Sequence, residues 1–167
     1  MLEKEEIEAH FYQDKYLYAD MIAALRDSRN RVAYAEEDGV LLRMRAGYMH
    51  WLNAETPEAA GRILDLAKRP DMFLIHQDFC KEIIIRKFGL CGEMRCWQGA
   101  YFGTEPLPVV LPEGMELRDL HMSDLDMVME RYTHADGDRA YIASRLKYGM
   151  IGAYFGETCA GFVGVHG

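Results

Sequence analysis

A short stretch with three prolines divides the chain into two parts. It reads TEPLPVVLPEG and occupies residues 104–114. Each proline fixes its own φ angle and lacks a backbone N–H, so this stretch favours an extended linker over a helix or a paired strand. We therefore expect a first domain at residues 1–104, a linker at 105–114 and a second domain at 115–167.

The formal net charge of the 167 residues is −8. This charge argues against nucleic-acid binding, because that binding depends on Lys and Arg side chains that neutralise phosphates. An acidic surface attracts cationic amines, although such a charge more often serves only to keep a protein soluble.

The N-terminus reads MLEKEEIEAH and is acidic, whereas a secretory signal starts with basic residues followed by an apolar run. Elsewhere, no apolar run approaches the roughly 20 residues that span a membrane. We expect a cytoplasmic protein that does not associate with membranes.

The four cysteines are Cys80, Cys91, Cys96 and Cys159, and they form no CxxC pair and no zinc-type spacing with histidine. We expect reduced, partly buried thiols and no metal site.

In the first domain, the spacing of apolar residues changes from a helical period to the two-residue period of strands. Asp38-Gly39 is a dipeptide typical of hairpin turns, Thr56 and Asp78 are candidate helix caps, and Gly89 is a candidate helix end. The predicted elements are one long helix or two successive ones over Glu3–Asp27, strands at Val32–Glu36, Val40–Arg45 and Tyr48–Asn53, a helix from Thr56 that stops before Pro70, a buried strand at 72–76, a helix at Phe79–Phe88 and a strand within 93–103.

The second domain is predicted to follow the order strand, helix, helix, strand, strand. Its elements are a strand at Met115–Leu120, a helix capped by Ser123, a helix around Ala140–Lys147, and a closing hairpin with its turn at Gly156-Glu157-Thr158 and a last strand at Cys159–His166. The fold class is therefore α/β of the α+β type, with a mixed, mostly antiparallel sheet flanked by helices.

The second domain resembles the opening half of a GNAT-superfamily N-acyltransferase domain. Residues Ala153–Gly164 fit the pattern Ala-x₇-Gly-Phe-x-Gly of the second and third strands in that family. The hairpin at residues 32–44 is similar, so the first domain looks like a degenerate copy and the chain like a tandem arrangement. An ordinary small α/β domain with hairpins of this kind is the alternative.

The resemblance implies acetyl-CoA as co-substrate and an Arg/Gln-x-x-Gly-x-Gly/Ala loop for its pyrophosphate, between the fourth strand and the following helix. In the first domain this junction reads NAETPEAAG at residues 53–61. Pro57 lacks an N–H donor there, and Glu55 and Glu58 repel phosphate. We expect no cofactor binding at this junction.

Residues Arg86–Cys91 match the loop pattern nominally, but Gly89 is better explained as the end of a helix, where the dipole repels phosphate. The tyrosine that protonates the thiol in the family corresponds here to Ile85. The first domain is therefore expected to be structural, covering one side of the second and shaping its acceptor pocket, and no catalytic residue is assigned.

Gly167 precedes the fourth strand, phosphate loop and tyrosine helix that the resemblance implies for the second domain. This suggests a truncated enzyme that is inactive alone and does not bind acetyl-CoA. The strand at Cys159–His166 would expose an edge and the side chains of Phe162, Val163 and Val165, so we expect self-association through this edge or pairing with a strand of the first domain.

The loop between the helices of the second domain is the candidate binding site for a small amine or peptide acceptor. Tyr132, His134, Asp136, Asp138 and Tyr141 offer hydrogen bonds and negative charge there, and Asp136 next to His134 would tune a base. The alternative, which we favour, is a polar loop in which Asp136 or Asp138 caps the next helix.

These observations favour an N-acetyltransferase that transfers an acyl group from acyl-CoA to an amine. The alternative function is a non-catalytic interaction or regulatory module that uses the same scaffold.

Overall fold

The structure, a computed structural model, describes residues 1–45, 49–68, 70–132 and 139–164. It divides into unit 1, Met1–Gly103, and unit 2, Thr104–Gly167. The described strands form a four-stranded sheet in unit 1 and a three-stranded sheet in unit 2. The predicted α+β class, with mostly antiparallel sheets and flanking helices, is confirmed.

Unit 1 begins with two successive helices, α1 at Lys4–Tyr12 and α2 at Ala19–Arg26. Both bury the apolar face that their helical spacing predicted. The buried side chains on these helices include Ile7, Phe11, Met21, Ile22 and Leu25. They pack with strand residues into one hydrophobic core.

A hairpin follows, with β1 at Asn30–Glu36 and β2 at Gly39–Met44. Its turn residues are Glu37 and Asp38, one position earlier than expected, and Gly39 is the first residue of β2. A Cβ added to Gly39 would lie 2.5 Å from the carbonyl oxygen of Asn53 and 2.6 Å from Cδ1 of Ile63. Only glycine allows the two strands and the helix to approach this closely.

The sheet then continues through β3, Met49–Ala54, which is antiparallel to β2, and β4, Met72–Ile75, which is parallel to β3. The helix α3, Pro57–Leu64, makes the crossover that a parallel pair requires. The sheet order is β1-β2-β3-β4. The strand predicted at 72–76 is formed, but it is not buried as expected. It lies at the edge of the sheet, and Met72 is exposed.

The helix α4 spans Phe79–Phe88 and ends at Gly89, which has a left-handed φ of 70° and donates its N–H to the carbonyl of Ile85. This end is the one predicted. The predicted cap at Asp78 is absent, since the side chain of Asp78 makes no capping hydrogen bond.

The strand predicted within 93–103 is not formed, and this segment has no regular secondary structure. Side-chain contacts hold it instead of a strand ladder. The amide of Gln98 donates to the carbonyls of Tyr16 and Leu17, 2.8 Å each, and the ring of Phe102 contacts the ring of Tyr16. Alternating apolar residues alone do not form a strand when no sheet edge pairs with them.

Unit 2 contains β5 at Met115–Leu120, α5 at Leu125–Arg131, α6 at Arg139–Tyr148, β6 at Met150–Phe155 and β7 at Thr158–Gly164. The order is the predicted one, and the antiparallel sheet order is β5-β6-β7. Within the described residues, β5 pairs with β6 and β6 pairs with β7.

The start of α5 differs from the prediction. Ser123 is not the cap, because it lies within a 3₁₀ turn at Met122–Asp124 that leads into the helix. The carboxylate of Asp124 accepts the backbone N–H of His121 at 2.7 Å and closes this turn. In the hairpin the turn residues are Gly156 and Glu157, while Thr158 already belongs to β7. Residues 165 and 166 of the predicted last strand lie outside the described residues.

Candidate functional site

The predicted acceptor site is described only in part. Tyr132 follows the last residue of α5 and Tyr141 lies in the first turn of α6, and both line the same cavity of about 230 Å³ in unit 2. His134, Asp136 and Asp138 lie outside the described residues. The structure thus brings together the two aromatic members of the predicted set.

The described lining of this cavity is aromatic and aliphatic. The ring centroid of Tyr132 lies 6.4 Å from that of Phe162. Arg145 alone among the described lining residues carries a charge, and its guanidinium lies over the rings of Tyr141 and Tyr148 at 5.3 Å and 4.9 Å. Sequence reasoning missed Arg145, which lies one helical turn after Tyr141.

The junction between β3 and α3 does not fit the pyrophosphate of acetyl-CoA. The Oγ1 of Thr56 accepts the N–H of Ala59 at 3.1 Å, which uses a donor that an anion would need. Pro57 supplies no N–H, and Glu58 adds negative charge in the first turn. The predicted cap at Thr56 is confirmed, and α3 starts without a cradle for phosphate.

The nominal loop at Arg86–Cys91 lies at the C-terminal end of α4, as predicted. Gly89 occupies the left-handed position after the helix, where exposed carbonyl groups repel anions. Ile85 lies within α4 and accepts the N–H of Gly89 through its carbonyl.

Sequence reasoning missed a cluster of polar side chains in unit 1, which we call the Tyr18 cluster. Its members are His10, Tyr18, Asp20, Asn53, His76 and Gln77. Asn53 is near the end of β3, and His76 and Gln77 follow β4 directly. The carboxyl ends of parallel strands meet at one edge of a sheet. Asn53, His76 and Gln77 therefore lie close together, and each contacts Tyr18.

Hydrogen bonds connect this cluster. The hydroxyl of Tyr18 donates to Oδ1 of Asn53 at 3.1 Å, and the amide of Gln77 donates to the same oxygen at 2.6 Å and to the Tyr18 hydroxyl oxygen at 3.3 Å. Nε2 of His76 lies 2.9 Å from Oδ1 of Asp20. Burial raises the pKa of Tyr18, and the carboxylates of Glu55 and Asp14 raise it further.

Within the residues described here, no three His, Cys, Asp or Glu side chains come close enough to hold a metal ion. The helices described in the structure are also too short or too polar to cross a membrane. Comparison of the chain with protein-family models, with curated proteins and with solved structures found no match.

Proposed function

We propose that this chain is a cytoplasmic GNAT-type N-acyltransferase polypeptide, whose reaction moves an acyl group from acyl-CoA to an amine. The observation that carries the proposal is a repeated arrangement. In each unit two helices precede an antiparallel hairpin, α1-α2-β1-β2 in unit 1 and α5-α6-β6-β7 in unit 2. This repeat supports the tandem arrangement to which the sequence resemblance points.

The two hairpins share a further detail. Each has a two-residue turn and an irregular register, between Val32 and Tyr34 in one and between Ala153 and Tyr154 in the other. Such bulges bend a strand and redirect its side chains. In unit 1 the hairpin continues into β3, α3 and β4, the order that the resemblance implies after its third strand.

The described residues contribute to acceptor binding in unit 2 and to structure in unit 1. Tyr132, Tyr141 and Arg145 line the cavity that we assign to the acceptor amine. The start of α3 is closed to phosphate, so the 167 residues alone are expected not to bind acetyl-CoA.

Calorimetric titration of these 167 residues with acetyl-CoA tests whether they lack a binding site for its pyrophosphate. We expect no heat of binding. Micromolar binding would contradict this expectation. Release of CoA from acetyl-CoA, measured with the full-length protein and a panel of primary amines, tests acyl transfer. Turnover with at least one amine is the expected result, and no turnover with any amine contradicts it.

A non-catalytic module on the same scaffold is the second candidate. The start of α3 favours it, because a phosphate site needs free N–H donors and no negative charge. Thr56 occupies the N–H of Ala59, Pro57 has no N–H, and Glu58 is acidic. A full-length protein that binds a partner protein but releases no CoA would support this second function.

A further inference from the structure

The size of the cavity in unit 2 limits the kind of amine that it accepts. Its volume is about 230 Å³, and an apolar cavity of about 150 Å³ already holds a benzene ring. Two of its aliphatic lining residues, Ile142 and Met150, are only 2% and 5% exposed. The cavity therefore has room for one six-membered ring and a chain of a few atoms.

Aromatic rings form much of the described cavity wall. Tyr132, Tyr141 and Phe162 all line it, and the ring centroids of Tyr132 and Phe162 lie 6.4 Å apart. These two rings come from different elements, since Tyr132 follows α5 and Phe162 lies on β7. Aromatic rings attract one another beyond the area that they bury. This wall therefore favours an aromatic ligand over an aliphatic one of the same size.

The charge on the described part of the cavity lining is positive, because Arg145 is the charged residue there. Its Nε donates to Oγ of Ser144 at 3.1 Å, and its guanidinium lies over the rings of Tyr141 and Tyr148. These neighbours hold the guanidinium beside the cavity. A guanidinium repels an ammonium ion, and its planar fork of N–H donors matches the two oxygens of a carboxylate.

We propose that the acceptor bound in this cavity is an aromatic amine that also carries a carboxylate, as an aromatic amino acid does. Its ring packs against Tyr132 and Phe162, and its carboxylate accepts hydrogen bonds from Arg145. The role of the amine rests on the proposed acyl transfer, whereas the binding of the ring and the carboxylate does not. An amine without a carboxylate brings only positive charge towards Arg145 and is expected to bind more weakly.

Calorimetric titration with 3-phenylpropionate, without acetyl-CoA, tests the binding of ring and carboxylate in the full chain. We expect saturable binding, roughly tenfold or more tighter than that of 3-phenyl-1-propanol, which has the same ring and chain but no charge. Arg145→Met should remove this difference. Lys147→Met removes one positive charge from an exposed position of the same helix. It is the matched control and should preserve the difference.

The comparison of the two ligands needs no variant, so it covers the case in which Arg145→Met fails to fold. Absence of saturable binding of 3-phenylpropionate, equal binding of the alcohol, or an equal loss in Lys147→Met and Arg145→Met would overturn the proposal. So would a crystal structure, grown with 3-phenylpropionate, in which the carboxylate lies away from Arg145.

Turnover by the full-length protein separates this inference from the proposed function. Each turnover forms an amide bond to the amine and breaks the C–S bond of the thioester, and the proton lost by the nitrogen leaves on CoA. L-Phenylalanine and 2-phenylethylamine differ only in the carboxylate, so kcat/KM for CoA release should be roughly tenfold or more higher with L-phenylalanine.

The two possible failures give different results. Equal kcat/KM values for the two amines would overturn the role of the carboxylate and leave acyl transfer in place. Binding of 3-phenylpropionate without release of CoA in the presence of any amine would refute acyl transfer and leave the ligand class in place.

Discussion

At the scale of single residues, Asp38 connects the first hairpin to the helix that crosses the sheet. Its Oδ1 accepts the hydroxyl of Tyr34 at 2.6 Å, and its Oδ2 pairs with Arg62 of α3. The hydrogen bond from Tyr34, followed by the interaction with Arg62, lowers the pKa of Asp38. One carboxylate in the turn thus stabilises a strand and a helix together.

The lowered pKa predicts how Asp38 affects stability with pH. A carboxyl group with a lower pKa in the folded state stabilises the protein above its unfolded pKa of about 4, and this stabilisation disappears as the pH falls through the folded pKa. Asp38→Asn should therefore lower the urea midpoint at pH 7, and this loss should become smaller as the pH falls from 7 to 2.5.

Urea unfolding followed by circular dichroism over this pH range measures the effect. Asp71→Asn, the same change at an exposed residue, is the control. An equal loss of stability for Asp38→Asn at both ends of the pH range would contradict the assignment.

Tyr18 illustrates what residue-level reasoning captures and what it misses. The ring of Tyr18 packs against Phe11, a near neighbour in the sequence, with 5.2 Å between centroids. Its hydroxyl bonds Asn53, 35 positions away in the sequence. No local pattern around Tyr18 indicates that distant partner.

At the scale of elements, α3 was the most predictable part of unit 1, because its start depends on neighbouring residues alone. Thr56 caps the helix, Pro57 suits the first turn, and the apolar residues at helical spacing are buried. The segment at 93–103 was less predictable, because a strand forms only when another strand pairs with it. No strand forms there.

Loss of the cap predicts a measurable change in stability. Thr56→Ala removes the oxygen that accepts the N–H of Ala59 and should lower the free energy of unfolding by about 1 kcal/mol. Thr56→Ser keeps a hydroxyl and should restore most of it. Chemical denaturation of both variants measures this, and a Thr56→Ala protein as stable as Thr56→Ser would show that the hydrogen bond contributes nothing.

At the scale of the whole molecule, β7 is an edge strand of the described sheet of unit 2, and it exposes the apolar side chain of Val163. Val163 is 67% exposed and lies opposite Ile151 of β6 in the register, which is also exposed. An edge with unpaired backbone groups and apolar side chains favours pairing with another chain.

We therefore predict concentration-dependent self-association through β7. Val163→Lys should shift the protein towards the monomer in light scattering, because a charged side chain on an edge strand disfavours pairing. Val110→Lys, at an exposed valine of the linker, should not. A wild-type protein that stays monomeric at all concentrations would refute the prediction.

The sequence by itself determined the elements whose causes are local: the hairpins, the cap at Thr56 and the end of α4 at Gly89. Each depends on residues within a few positions of one another. Only the tertiary structure decided where the Tyr18 cluster forms, because Gln77 and Asn53 are 24 positions apart and meet through the parallel pairing of β3 and β4. That pairing is a long-range contact, and no short sequence pattern specifies it.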